Sequence, residues 1–334
     1  MSELFGHDQT VKTLYHAEKS GRLHHAWLLA GPRGIGKRLW ADKVAAWLLA
    51  SAVNSDFRKN APVNNIAVPD HHPTLSLIKA GSHPDLLRLE RLFRDSKEQE
   101  RARNITVDQV RGIQRLFSTT PALSFRRIVI IDSIDDLERA AANALLKNLE
   151  EPPAGTIFLL ISHAVTRLLP TIRSRCRILR FQALDDSDVL KALRQNLPEA
   201  NEEELVSLVK ISQGAPGYGL KFSGLDIATL DRSMNDLIKK GDSDLSLRSQ
   251  LAQSLALKSA QGRYEAFLEQ APARIAAEAH HLTGERLARA IHLWEKARQL
   301  ANEAISLSLD PQATVFTLAG LLARLAPTDR FGKR

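Results

Sequence analysis

The chain has 334 residues, of which 44% are hydrophobic, 25% charged and only 5% aromatic, with a formal net charge of +8. That length suits two or three globular domains with largely aliphatic cores, and the basic balance is compatible with polyanion binding or with solubility alone. No stretch approaches the ~18 consecutive apolar residues of a membrane helix. Residues Met1 to His7 lack the regions of a signal peptide, so a cytoplasmic location and no membrane partner are expected. The single cysteine, Cys176, excludes an intrachain disulfide and a cysteine-based zinc site.

In chain order, His25 to Ala30 is an apolar run that predicts a buried strand ending at Gly31. Lys37 to Ala50 has helical spacing, so strand, Gly-rich turn and helix open a βαβ unit. Further strands are predicted over Asp85–Leu89, Ile128–Asp132, Ile157–Ile161 and Arg177–Phe181. Between them, Thr106 and Gln109 form a capping box that opens a helix through Val110, Ile113 and Leu116. Glu138 to Glu150 is a second helix, stopped by Pro152-Pro153. Asn54–Pro73 and the charged Arg91–Arg103 read as irregular, solvated segments.

Alternating strands and helices predict a mostly parallel sheet covered on both faces. After Phe181 the strand signals cease. Asp185–Leu197 and Glu202–Ser212 are predicted helices, and Gln213 to Gly217 a turn. The rest, including Ser259–His280 and Glu285–Leu307, reads as helical. Asp310-Pro311 caps a last helix that carries Val315, Leu318, Leu322 and Leu325 on one face. The expected domains are 1–181, α/β; 182–229, a small helical domain; and 230–334, all helical.

Two segments point to chemistry. Gly31-Pro32-Arg33-Gly34-Ile35-Gly36-Lys37-Arg38 fits the phosphate-loop pattern except at its last position. Gly31, Gly34 and Gly36 let backbone N–H groups turn inward, Lys37 meets the β/γ-phosphates, and the following helix points its positive end at the same anion. The last position requires a Ser or Thr hydroxyl for magnesium. Arg38 cannot ligate a cation and adds positive charge there. Pairing of Arg38 with a phosphate leaves nucleotide binding without hydrolysis open.

The second segment is the apolar run ending in Asp132, placed to orient magnesium in a phosphate-loop ATPase; the plainer role is to cap the next turn. The residue after it is Ser133, which cannot act as a general base near neutral pH. Metal binding and water activation are thus degraded together.

Ala140-Ala141-Ala142-Asn143-Ala144-Leu145-Leu146-Lys147-Asn148-Leu149-Glu150-Glu151-Pro152-Pro153 resembles a signature of bacterial clamp-loader subunits, members of the AAA+ class of P-loop proteins. Ser174-Arg175-Cys176 resembles the motif with which that family supplies an arginine finger to an adjacent subunit. Leu4-Phe5-Gly6-His7 is similar to the family segment near adenine, and Ser162 falls at its first sensor. Arg22–Ala26, Ala80–Asp85 and Ile105–Arg111 also match family segments. The resemblance implies an AAA+ domain over 1–181, a lid domain over 182–229 and a collar domain over 230–334.

Departures from the family pattern sharpen the expectation. Related subunits usually carry four zinc-binding cysteines that Asn54–Leu77 lacks, so no zinc is expected. The second-sensor arginine is replaced at Gly217. With Arg38, Ser133 and Gly217 degraded and Ser174-Arg175-Cys176 intact, the chain resembles delta-prime-type subunits more than gamma/tau-type ones. Three things follow from the resemblance. No cofactor is required, although ATP or ADP binding without hydrolysis stays open. No autonomous ATPase is expected from this subunit of a DNA-directed DNA polymerase holoenzyme, a nucleotidyltransferase. Its partners are gamma/tau and delta subunits and, through the complex, the sliding clamp and primed DNA. The alternatives are a gamma/tau-like ATPase and an AAA+ branch-migration or repair protein. Nothing in the residues makes Cys176 more than a buried filler.

Overall fold

A computed structural model describes residues 3–53, 66–93 and 101–327. Parts of two segments read as irregular, 54–65 and 94–100, lie outside the described residues. The chain groups into two compact units, 1–195 with 213–217 and 196–212 with 218–334.

The first unit is built on five parallel strands in the order β2-β3-β4-β1-β5, with β1 Ala26–Ala30, β2 Leu86–Glu90, β3 Arg127–Asp132, β4 Thr156–Ser162 and β5 Arg177–Arg180. Strands β1, β3 and β4 lie inside the sheet and are buried almost throughout, which is why they read as continuous apolar runs. Their side chains alternate between two cores. Trp27, Leu29, Ile128, Ile130, Leu159 and Ile161 face one core, which α1 (Asp8–Lys19) and α2 (Lys37–Val53) complete. Leu28, Val129, Ile131, Phe158 and Leu160 face the other, against α4 (Val107–Arg111), α5 (Ile113–Phe117) and α6 (Arg139–Glu150). The expected α/β architecture with a parallel sheet is the one found.

Local signals hold with small displacements. The Thr106–Gln109 capping box forms in both directions. The helix predicted as one piece from Thr106 is two, parted at Gly112, whose added Cβ would come within 2.9 Å of the Gln109 carbonyl oxygen. α3 spans Pro73–Lys79, α7 Pro170–Arg173 and α8 Asp186–Asn196. One buried ion pair ties α1 to the sheet. Arg126 Nη2 donates to both Glu18 oxygens at 2.8 and 2.7 Å.

In the second unit every described regular element is helical. α9 spans Glu202–Ser212, α10 Pro216–Lys221, α11 Ile227–Lys240 and α12 Ser246–Leu255. α13 Gln261–Ala279, α14 Gly284–Ser306 and α15 Pro311–Ala323 follow. Residues 216 and 217 at the start of α10 belong to the first unit. Residues 229 and 230, where a domain boundary was expected, lie inside α11. Asp310 caps α15 by accepting from the Ala313 N–H at 2.7 Å, and Val315, Leu318 and Leu322 are fully buried.

Candidate functional site

The turn between β1 and α2 lies where β3 and β4 also end, at the carboxyl edge where parallel sheets hold ligands. Gly34, Gly36, Lys37, Arg38 and Asp132 come together there in a cleft of about 570 Å³. Gly34 and Gly36 take positive φ, 78° and 98°, which lets the turn fold back over α2. Gly31 is needed for packing. A Cβ there would lie 2.6 Å from the Phe181 carbonyl oxygen.

Lys37 is 97% buried, and its ammonium donates to the Gly31 carbonyl at 2.6 Å and also to the Pro32 carbonyl. Burial depresses its pKa to about 8, with Asp132 and Asp135 opposing the fall. The phosphate-seeking lysine is therefore bonded to its own loop.

Register explains the fate of Arg38. Glu90 and Asp132 are paired residues at the ends of β2 and β3, so both carboxylates face the start of α2. Arg38 Nη1 donates to Glu90 Oε2 and Asp132 Oδ2, each at 3.0 Å. Its Nε lies 3.5 Å from Asp42, one helical turn on. The guanidinium thus sits among the acids that would face a magnesium ion, and the acids around it keep it protonated despite its partial burial. These residues do not fit a metal, and a phosphate would have to compete with Glu90 and Asp132 for Arg38.

Sequence reasoning treated Arg91–Arg103 as solvated, but its ends belong to the site. Arg101 pairs with Glu90 at 3.0 Å and Arg91 with Asp136 at 3.4 Å, while Arg88 pairs with Asp42 at 2.9 Å. The only sequence signal of Arg91 and Arg101 was the charge density of their segment. Burial tends to raise the Glu90 pKa, but the Arg38 bond and then Arg101 hold it below the ordinary value. Among the described residues Arg33, Lys37, Arg38, Arg88, Arg91 and Arg101 stand against Asp42, Glu90, Asp132, Asp135 and Asp136, so these charges nearly balance.

Asp135 and Asp136, displaced from the position of a general base, hold turns. Ser162 Oγ donates to Asp135 at 2.9 Å, and the His163 and Ala164 N–H groups donate to the same carboxylate. Ser162 is fully buried, whereas His163 beside it lines the cleft. Ser133 Oγ donates to Asp136 at 3.1 Å. Gly217, where a second-sensor arginine was expected to be missing, packs on the phosphate-loop turn. Its N–H donates to the Gly34 carbonyl at 2.8 Å, and an added Cβ would lie 3.0 Å from Gly34 Cα.

Leu4 packs at the edge of the core beside Gly36, and Phe5 is half-buried. His7 Nε2–H donates to the Ile35 carbonyl at 2.8 Å, and burial lowers the pKa of its ring.

Ser174, Arg175 and Cys176 occupy the turn between α7 and β5, and none of them lines the cleft. Cys176 packs against the second core, and burial pushes its thiol pKa up to about 12, which keeps it a protonated filler. Ser174 Oγ donates to the Thr171 carbonyl at 3.1 Å. Arg175 is partly exposed, with Nη1 donating to the Thr171 carbonyl at 2.9 Å and Nη2 at 2.6 Å from Glu150 Oε1.

A family model described as DNA polymerase III, delta subunit, matches residues 6–185, the span that carries the phosphate loop and the Ser-Arg-Cys turn. The chain belongs to this family. A Pseudomonas aeruginosa protein named DNA polymerase III subunit delta' is 34% identical over 216 residues, covering 65% of this chain and 61% of that protein. The Escherichia coli K12 delta' is 29% identical, covering 77% of this chain and 68% of its own. The match thus spans about three fifths of the Pseudomonas relative. A solved Thermotoga maritima gamma-subunit-related protein aligns over 94% of this chain and 99% of its own, with a TM-score of 0.46 and 16% identity. The resemblance to clamp-loader delta-prime subunits read from the motifs is supported by the family match and the Pseudomonas and Escherichia coli relatives. Among the described residues no helix is long and apolar enough to cross a membrane, and no group of three or more His, Cys, Asp or Glu is placed to hold a metal ion.

Proposed function

We propose that this chain is the non-hydrolysing delta-prime subunit of a DNA polymerase III clamp loader, working in the cytoplasm with gamma/tau and delta subunits. In this reading it supports ATP-driven loading of a sliding clamp onto primed DNA as part of the polymerase holoenzyme. On the same reading the first unit holds its AAA+ domain and the helical remainder its lid and collar domains. ATP turns over at neighbouring subunits, and Arg175 completes one of those sites. The observation that carries the reading is Arg38, lodged between Glu90 and Asp132 in place of a metal. A gamma/tau-like hydrolytic site conflicts with it, because phosphoryl transfer needs a cation that bridges the phosphates. Neither zinc nor a nucleotide is required.

Arg175 has the chemistry of an arginine finger. A guanidinium offers a planar fork of donors to the charge that spreads over the γ-phosphoryl oxygens. Such a residue contributes ~10³–10⁵ in rate at the site it serves. The test is reconstitution with the partner subunits, reading DNA-stimulated ATP turnover and clamp loading. Arg175→Ala should assemble normally, since an exposed ion pair contributes only ~0–1 kcal/mol, yet lower both activities. Arg175→Lys should not rescue them, because an ammonium lacks the fork. An assembled Arg175→Ala complex that matches wild type in both would overturn the role.

A further inference from the structure

The guanidinium of Arg175 is already engaged within its own chain. Nη1 donates to the Thr171 carbonyl at 2.9 Å, and Nη2 sits 2.6 Å from Glu150 Oε1. Both terminal nitrogens of the guanidinium, among the groups that would meet phosphoryl oxygens, thus face groups of their own chain, Nη1 through a hydrogen bond and Nη2 through an ion pair.

Local helix stability does not explain Glu150. It is the last residue of α6, where the helix dipole presents its negative end and a carboxylate is disfavoured. A second acid, Glu151, follows at the C-cap. The ion pair with Arg175 offsets that unfavourable placement through a contact only the tertiary fold provides, because the two residues lie on opposite sides of β4 in the chain.

The pair is also loose enough to be exchanged. The Arg175 and Glu150 side chains are 35% and 48% exposed, and exposed ion pairs are weak and screened by salt. A terminal phosphate carries more charge than one carboxylate and accepts the fork through several oxygens, so it outcompetes Glu150 when a neighbour presents it.

We propose that Glu150 is a positioning residue that restrains Arg175 in the free chain and must give up the guanidinium before Arg175 serves a neighbour's phosphate. This rests on the trans-acting role of Arg175 proposed above. While the ion pair holds, Nη2 faces Glu150 rather than a phosphoryl oxygen, so the pair acts as a latch against unproductive engagement.

The experiment compares wild type, Glu150→Gln, Arg175→Ala and the double variant in the complex reconstituted with its partner subunits. DNA-stimulated ATP turnover is followed at rising salt. Gln keeps the size of Glu150 and a carbonyl oxygen but loses the charge, and assembly of each variant is verified by gel filtration. Glu150→Gln should raise turnover by up to about fivefold, the most an exposed pair supports. The ratio to wild type should shrink toward one as salt rises to about 0.5 M, where such pairs are screened. In the Arg175→Ala background the same change should have no effect, the result a double-mutant cycle requires if Glu150 acts through Arg175. Turnover at or below wild type for Glu150→Gln, with Arg175→Ala defective, would overturn the latch and leave the finger standing. Arg175→Ala indistinguishable from wild type would instead remove the reading on which the latch rests.

Discussion

Replacing Arg38 with methionine removes the cation that Glu90 and Asp132 share while keeping much of its apolar stem. Two acids of the cluster retain a partner, since Arg88 stays on Asp42 at 2.9 Å and Arg101 on Glu90 at 3.0 Å. Asp132 loses the guanidinium 3.0 Å away, at a position only 24% exposed. A bare pair at ~4 Å corresponds to about 4 kcal/mol at an effective dielectric of 20. The Arg38 side chain is 41% exposed, so solvent screening and the solvation regained by the acids reduce this to ~1–2 kcal/mol.

For a unit of this size each kcal/mol moves the melting temperature by ~2–4 °C, so Arg38→Met should melt ~2–8 °C lower at pH 7. Tryptophan fluorescence is a suitable probe. Three of the four tryptophans, Trp27, Trp40 and Trp47, are fully buried in the first unit. The pH dependence carries a sign. The folded pKa of Glu90 is depressed, with Arg38 the main opponent of burial. Its stabilising contribution is complete above the unfolded value of ~4.3 and is lost as pH falls through the folded value. The gap between variant and wild type should therefore narrow below about pH 4. Equal melting at pH 7, or a gap unchanged at pH 3, would refute the reasoning.

Lys37 titrates at about 8 in the fold against ~10.4 in an unfolded chain. The unfolded chain binds more protons between these values, so stability should rise with pH across that window relative to Lys37→Met, measured by urea midpoints at pH 7.5, 9 and 10. Arg126→Ala removes the two hydrogen bonds that Arg126 Nη2 gives the Glu18 carboxylate, whose side chain is only 2% exposed, and should cost ~1.5–3 kcal/mol in urea denaturation, the range for hydrogen bonds to charged groups. The double change Glu18→Leu/Arg126→Met should recover most of that, because replacing both members of a buried pair with apolar groups also removes their desolvation cost.

Much of the first unit was legible because its signals are local. Each inner strand is an apolar run, the phosphate-loop glycines need unusual backbone angles, and Thr106, Gln109, Asp310 and Pro311 cap their helices through neighbours one turn away. That position 38 offers no hydroxyl and position 133 no carboxylate could be read directly, because the groups a residue carries are fixed by its identity. What the acids would do instead could not be read. Glu90 meets Arg38 through the β2–β3 register, and Arg91 and Arg101 reach the same cleft from a segment whose composition suggested only solvation. Gly217 reads as a missing arginine, and only packing reveals it pressed on Gly34. The Glu150–Arg175 pair is of the same kind. Local backbone preference and side-chain chemistry act over one helical turn or one strand and are written in adjacent residues. Partner choice among charges depends on which chain ends the sheet and loops bring within ~4 Å, and only the folded chain decides that.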